Sequence, residues 1–292
     1  MANDRTLLVT GASGHFGRRV LELLLAAGAR SVVATTRWPD RLADFARRGV
    51  TVRWADFDKP ESLSTAFAGA NRMVLVSTDV VDGTDRRQRQ HAAAIAAAEA
   101  AGVEHVVYTS LARADTSRLK VAADHVATEK RLAASQLGYT VLRENIFTET
   151  LLSVLPTAIA TKTLLGLPGD GGVAYISRDD CAFAAATALQ TSSGRTTLEL
   201  TGPEVIRRAP LARITTDVTG KDVFYLSLPP DELTRRWQAA GLPVSLLLAF
   251  EQATVDGQFA FTTTDYFRLT GRQPGEVPDF LAANRHALVR AA

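Results

Sequence analysis

The chain holds a single cysteine, Cys181, in 292 residues, so no internal disulfide can form. Its setting, "DDCAFAAATAL", is small and apolar at helical spacing, which reads as core packing rather than a nucleophile. No run approaches the ~18 consecutive apolar residues of a membrane span. Neither sign of charge dominates. Lys and Arg number 33 against 31 Asp and Glu, a net charge of +2, and the doublets Arg47-Arg48, Arg207-Arg208 and Arg235-Arg236 stand apart. They read as solvated surface, not as the concentrated basic face that nucleic acid requires. The opening "MANDRT" has neither the basic nor the apolar region of a signal peptide. These absences lead to the expectation of a cytoplasmic protein, with no nucleic-acid or membrane partner. The length suits one large domain or a domain with an appended lobe.

What is present is alternation. Short apolar runs at 6–10, 31–36, 50–56, 73–78, 105–110 and 139–143 read as strands, with helical patterns between them around 39–48, 61–68, 85–101 and 123–137. After the first run, Phe16, Val20, Leu23, Leu24 and Ala27 repeat at helical spacing, and Gly28 can close that helix. Strands alternating with helices imply right-handed crossovers and a parallel sheet covered on both faces. The runs are nearly all apolar, as doubly buried strands require. The expected fold is α/β, a doubly wound parallel sheet of Rossmann type with a smaller C-terminal substrate lobe. Residues 1–150 are expected to form the dinucleotide-binding body. Residues 151–292, where the rhythm changes, are expected to form most of the lobe, with segments returning to the body.

The turn after the first strand, "TGASGHFG", carries Gly11, Gly14 and Gly17 as G-x-x-G-x-x-G. In a doubly wound sheet, ligands bind at the carboxyl ends of strands where the order reverses. Gly11 permits the tight turn, Gly14 lets backbone N–H groups approach a pyrophosphate, and Gly17 lets the helix pack on the strand. The phosphates then meet the positive end of the helix dipole. Three glycines between a strand and an amphipathic helix point to a dinucleotide. The end of the second strand reads "TTRWPDR", with Thr36, Arg37 and, one turn on, Arg41. The carboxylate that would bind the ribose 2′-hydroxyl of NAD is missing. A guanidinium can fork onto a 2′-phosphate, so NADPH is the expected cofactor.

With "ADFDKPESL" and "HVVYTSLARADTSRLKVAADHVATEK", this pattern resembles the NmrA-like atypical short-chain dehydrogenase/reductases, and within them the bacterial NAD(P)H:quinone oxidoreductases. The resemblance runs through nearly the whole chain and is most specific from Tyr108 to Lys130. It implies a Rossmann domain with a small substrate lobe, NADPH, and neither metal nor flavin. It also implies cofactor contacts at Ser13, His15 and Phe16 beside the glycines, at Arg37 for the phosphate, at Asp56 and Phe57 for the adenine, at Ser77 and Thr78 near the ribose, and at Lys130 for the nicotinamide ribose. The loop after the sixth strand is implied to lie beside the nicotinamide. There the chain reads "RENIFTET" where the quinone reductases tend to have Arg-Asn-Gly and aromatics, so Glu144, Asn145 and Phe147 depart from the pattern. Tyr108, Asn145 and Phe147 are the expected substrate contacts.

A short-chain dehydrogenase normally carries Tyr-x-x-x-Lys, a spacing that puts both side chains on one helix face. The lysine lowers the tyrosine pKa so that the phenol can protonate the substrate oxygen. Here Lys130 is present and the position four earlier is Val126. Ser110 remains at the end of the fifth strand, with Tyr108 on the same face one pair deeper. His125 adjoins Val126 and can point into the cleft or outward. Lys130, Ser110 and His125 are the expected catalytic group. Reducing a ketone without an acid leaves a strongly basic alkoxide, whereas a quinone gives a weakly basic aromatic anion that solvent can protonate. The expectation is therefore an NADPH-dependent reductase of a quinone or quinone-like aromatic, which includes polyketide natural products, able to form a homodimer. A dinucleotide sensor acting through another protein and a polyketide-tailoring oxygenase remain open.

Overall fold

The computed structural model describes residues 5–242 and 244–290. The first half alternates strand and helix: β1 (Leu7–Val9), α1 (His15–Ala26), β2 (Val32–Thr36), α2 (Ala43–Arg47), β3 (Thr51–Trp54), α3 (Glu61–Phe67), β4 (Arg72–Leu75), α4 (Arg86–Ala100), β5 (His105–Leu111), α5 (Lys120–Ala134) and β6 (Gly138–Glu144). There follow α6 (Leu151–Thr161), β7 (Thr163–Gly166), β8 (Gly172–Val173), α7 (Arg178–Thr191), β9 (Arg195–Leu200), β10 (Ile206–Arg207), α8 (Arg208–Thr219) and β11 (Phe224–Ser227). Five helices complete the described chain: α9 (Pro230–Ala239), α10 (Val244–Val255), α11 (Asp265–Thr270), α12 (Val277–Ala283) and α13 (Arg285–Arg290).

Seven strands make one parallel sheet in the order β3-β2-β1-β4-β5-β6-β9. The order reverses between β1 and β4, which opens the crevice at their carboxyl ends. Successive residues alternate between the two faces. Leu8, Met73 and Val106 pack with Phe67, Ile95 and Leu132 under α3, α4 and α5. Val9, Val107 and Leu142 pack with Leu21, Leu24 and Ala185 under α1 and α7. The strand expected at 50–56 is the exception to double burial. As β3 it closes one end of the sheet, and Thr51 and Trp54 stay exposed. Helix α5 begins three residues before its expected start, where Ser117 Oγ accepts the amide of Leu119 (3.2 Å).

Two later segments belong to this sheet. Helix α7 starts at Ser177, whose Oγ accepts the Asp180 amide (2.9 Å), and Asp179 and Asp180 complement the helix dipole in its first turn. Its alanines let it lie close on α1 and the sheet, with Cys181 fully buried and its thiol pushed well up by that burial. Strand β9 then adds to β6. The rest of the second half builds its own core from Leu155, Tyr175, Leu211, Phe259 and Leu281. No helix among the described residues is long and apolar enough to cross a membrane.

Three histidines are buried as neutral rings. Burial, aided by Arg87, holds His91 down to about 3, and burial beside Arg72 holds His105 down to about 4. His125 lies well below its ordinary value, through burial, Arg87 and His91. Unfolded, each titrates near ~6.5. Below that pH the unfolded chain binds protons that the folded chain refuses. Stability held above about pH 6.5 is therefore lost as pH falls toward the folded values, at about 1.4 kcal/mol per pH unit for each histidine. Chemical denaturation at pH 7, 6 and 5 in constant salt should show the decline beginning above the carboxylate range. A flat profile from pH 7 to 5 would contradict it.

Candidate active site

The glycine turn is shaped by close contacts. Gly11 has φ +58°, a left-handed conformation that favours glycine, and its carbonyl accepts the Gly14 amide (3.0 Å). A Cβ on Gly17 would lie 2.6 Å from the Gly11 carbonyl oxygen and 2.8 Å from the Ala12 Cα, so α1 can approach only with glycine there. Ser13 Oγ and Thr36 Oγ1 are 2.7 Å apart, and Thr36 Oγ1 accepts the Trp38 amide (3.0 Å). These hydroxyls tie the turn to the end of β2.

A cleft of about 330 Å³ opens along this edge. It gathers Gly11, Ser13 and Gly14 from the turn, Arg37 and Arg41 after β2, Asp56 and Phe57 after β3, and Ser77 and Thr78 after β4. Arg37 is exposed and makes no ion pair among the described residues, which leaves its guanidinium available to an anion. Arg41 lies over the Trp38 ring, 5.4 Å from its centre. Asp58 follows Asp56 and Phe57, and a paired hydrogen bond from Arg86 (3.0 and 2.5 Å) draws its carboxyl down to about 2. Two residues lining this cleft carry buried polar atoms without a partner, Thr35 Oγ1 and Gln90 Oε1. Buried polar atoms are normally paired, so the cleft is built for a polar ligand, and a dinucleotide fits its donors and acceptors. His15 is exposed at the start of α1, Phe16 packs against the core, and Gly17 is buried behind the turn; none of the three lines the cleft.

Three consecutive amides beyond β4 are held by side chains. Val76 donates to Thr10 Oγ1 (3.0 Å), Ser77 to Thr109 Oγ1 (2.8 Å) and Thr78 to His91 Nε2 (3.1 Å). His91 therefore carries its proton on Nδ1 and donates to Thr128 Oγ1 (2.9 Å), which donates to the Asp124 carbonyl (2.8 Å). Sequence reasoning passed over His91 and Gln90. Their signal was two polar residues on the buried side of an alanine-rich helix.

The catalytic register is sparse. Lys130 is exposed and without an ion pair among the described residues, and Val126 lies half-buried one turn before it. Ser110 is buried, and its hydroxyl donates to Glu129 Oε1 (2.6 Å). Arg143 binds the same carboxylate (2.7 and 3.0 Å) and also meets Glu199 (3.2 Å) and Asp115 (3.0 Å). Ser110 is thus committed to an ion network that the sequence did not reveal, because its members come from four separate segments.

Three expected contacts are corrected by the structure. Tyr108 is fully buried, with its hydroxyl 2.9 Å from His125 Nδ1, so it is no part of a substrate wall. His125 is buried as well, because the face of α5 carrying Ala122, His125 and Thr128 packs inward while Val126 is rotated away. Its Nε2 accepts from the Arg87 guanidinium (3.0 Å), which leaves Nδ1 to donate to Tyr108. Asn145 is spent on the backbone: Nδ2 donates to the Phe259 carbonyl (3.2 Å) and Oδ1 accepts the Ile146 amide (2.7 Å). It pins the loop after β6 to the second core. Phe147 remains half-buried beside the Arg178 guanidinium (5.3 Å).

The sequence profile of the NAD(P)H-binding family matches residues 11–192, which span the glycine turn, the cleft and α5. Quinone oxidoreductase 2 of Escherichia coli is 36% identical over 242 residues, 82% of this chain and 84% of that protein. The chain belongs to the NAD(P)H-binding, NmrA-like oxidoreductases. Within this family, an NmrA-like domain-containing oxidoreductase of Aspergillus flavus is 34% identical, covering 77% of this chain and 75% of that one. The crystal structure of the E. coli protein with NADPH superposes with a TM-score of 0.89 at 32% identity, covering 95% of this chain and 99% of that one. That of Citrobacter triphenylmethane reductase with NADP(H) gives 0.88 at 29% identity, covering 96% and 99%. The protein is accordingly an oxidoreductase with an NADPH site.

Two measurements probe this site. Arg37→Asp should remove a charge-assisted pair worth roughly 1.5–3 kcal/mol from NADPH binding and leave NADH binding nearly unchanged. Titration calorimetry checks it, and equal affinity of the unmutated protein for the two cofactors would contradict it. Lys130→Ala should weaken cofactor binding and slow hydride transfer while thermal stability holds, since the exposed lysine supports no packing. Unchanged fluorescence titrations would reduce Lys130 to a surface residue.

Proposed function

We propose that the protein reduces a quinone or quinone-like aromatic with NADPH by direct hydride transfer. One observation carries this reading: beside Lys130 the place of a proton donor is held by Val126, and the hydroxyl of Ser110 at the end of β5 is already donating to Glu129. Reduction of an isolated carbonyl in such a site ends on an alkoxide that no side chain protonates. When bound, NADPH supplies a hydride, two electrons and a proton's nucleus together. Transfer to a quinone leaves NADP⁺ and a hydroquinone monoanion, aromatic and weakly basic, which takes its proton from water. The chain then needs only to hold donor and acceptor in register and to exclude competing water.

The surroundings support an apolar, flat acceptor. Leu111 and Ile146, at the carboxyl ends of β5 and β6, join Val121, Leu152, Phe250 and Phe261 as partly buried side chains packed on the second core. The name of the E. coli relative, quinone oxidoreductase 2, agrees with the same substrate class.

Anaerobic stopped-flow absorbance of NADPH with a panel of quinones and simple ketones tests the reading. Quinones should oxidise NADPH without added flavin or metal, and ketones should react slowly. Val126→Tyr should raise ketone rates more than quinone rates. NADPH binding without reduction of any quinone would sink the proposal, as would consumption that requires oxygen and places oxygen in the product.

A further inference from the structure

No backbone ladder holds the wall of the cleft beyond β4. Residues 76–85 join β4 to α4, and the first five of them, Val76 to Val80, line the cleft. Among the described residues, none of residues 76–84 donates or accepts a backbone–backbone hydrogen bond. Side chains hold the start of the segment instead. Thr10, just after β1, and Thr109, in β5, take the amides of Val76 and Ser77 and reach up from the sheet. His91 reaches across from α4, takes the Thr78 amide (3.1 Å) and is the last of these tethers.

The His91 ring is itself fixed. It is fully buried, and it meets the Tyr108 ring edge-on with 5.6 Å between centres. Its Nδ1 lies 2.9 Å from Thr128 Oγ1, whose own proton goes to the Asp124 carbonyl (2.8 Å). Thr128 can therefore only accept from the ring, which puts the proton on Nδ1 and a lone pair on Nε2. Burial keeps the ring neutral, so that lone pair stays available. A proton on Nε2 would set one N–H against another and release Thr78. His91 does not line the cleft; Thr78 does.

We infer that His91 is a positioning residue for the bound dinucleotide: by accepting the Thr78 amide it fixes the stretch from Thr78 to Val80 in the shape that the ligand meets. Without that bond, residues 78–84 sample more conformations, and ordering them is charged against binding. Thr128 acts one step behind, by fixing the tautomer. The inference rests on the NADPH reading of the cleft and is independent of which acceptor is reduced.

Two variants of the full chain separate positioning from packing. His91→Gln can bring its Oε1 to the place of Nε2 and accept the Thr78 amide, but it offers Thr128 nothing. His91→Asn can bring a donor to the place of Nδ1 and keep Thr128, but it falls short of Thr78. Each gives up one ring hydrogen bond, so thermal melts should fall by similar amounts. Titration with NADPH should show His91→Gln within about twofold of the unmutated protein and His91→Asn about tenfold weaker, the scale of one net hydrogen bond or slightly more. Hydrogen exchange of the ligand-free protein should find the Thr78 amide protected in the unmutated chain and in His91→Gln, and exposed in His91→Asn. Thr128→Val, which keeps the shape and loses the hydroxyl, should also weaken NADPH binding, and Thr128→Ser should restore it. That second pair decides the matter if the His91 variants do not fold. Equal affinity in His91→Gln and His91→Asn, affinity that merely follows the melting temperature, or unchanged affinity in Thr128→Val would overturn the inference. Failure of the unmutated protein to bind NADPH would instead remove the cofactor site on which it stands.

Discussion

The close approach of α1 to the turn before it governs the site. Gly17 sits where a Cβ would come within 2.6 Å of the Gly11 carbonyl oxygen, a distance no side chain tolerates. With α1 seated there, the turn residues Gly11, Ser13 and Gly14 line the cleft just before the positive end of the helix, where an anion is favoured. A larger residue at 17 would lift the helix, and with it the Ser13 hydroxyl that bonds Thr36 at the end of β2. The wall of the cleft at the end of β2 is thus tied through the Ser13–Thr36 hydroxyl pair to the turn that Gly17 holds.

Much of this was legible in the sequence. Six strands and the crossovers between them follow from apolar runs and helical spacing, because a sheet covered on both faces leaves few polar positions in its strands. The glycine turn, Arg37, Asp56, Phe57, Ser77 and Thr78 were readable as one edge because a parallel topology places all strand ends on it. What failed was the direction of polar side chains. Tyr108 read as a site residue because it shares a strand face with Ser110, His125 because it adjoins Val126, and Asn145 because the resemblance puts the loop after the sixth strand beside the nicotinamide. Each instead satisfies a partner supplied from afar: Arg87 for His125, the Phe259 carbonyl for Asn145, His125 for Tyr108. Those partners lie between 17 and 114 residues away, and no local pattern announces them.

The polar seam between α4, α5 and β5 accounts for why such residues sit inside. Four imidazole nitrogens and a tyrosine hydroxyl are matched to Arg87, Thr128 and the Thr78 amide. The rings and hydroxyl are matched although Arg87 Nε is not, and the network fixes α5 against the sheet more uniquely than alanine packing alone. The register of α5 against the sheet therefore rests on His125 and Tyr108.

Helix α7 and strand β9 come from the second half of the chain yet complete the first half's sheet. The backbone leaves the sheet after β6, builds β7 and β8, returns for α7 and β9, and leaves again. The two cores are consequently stitched together and cannot be exchanged as separate cassettes. A cut after β6 would remove α7, which shares the cover of one face of the sheet with α1, and would remove the seventh strand. Insertions or deletions are then tolerated in the excursions themselves, around α6 and α10, more readily than in α7 or β9, which the sheet needs to stay whole.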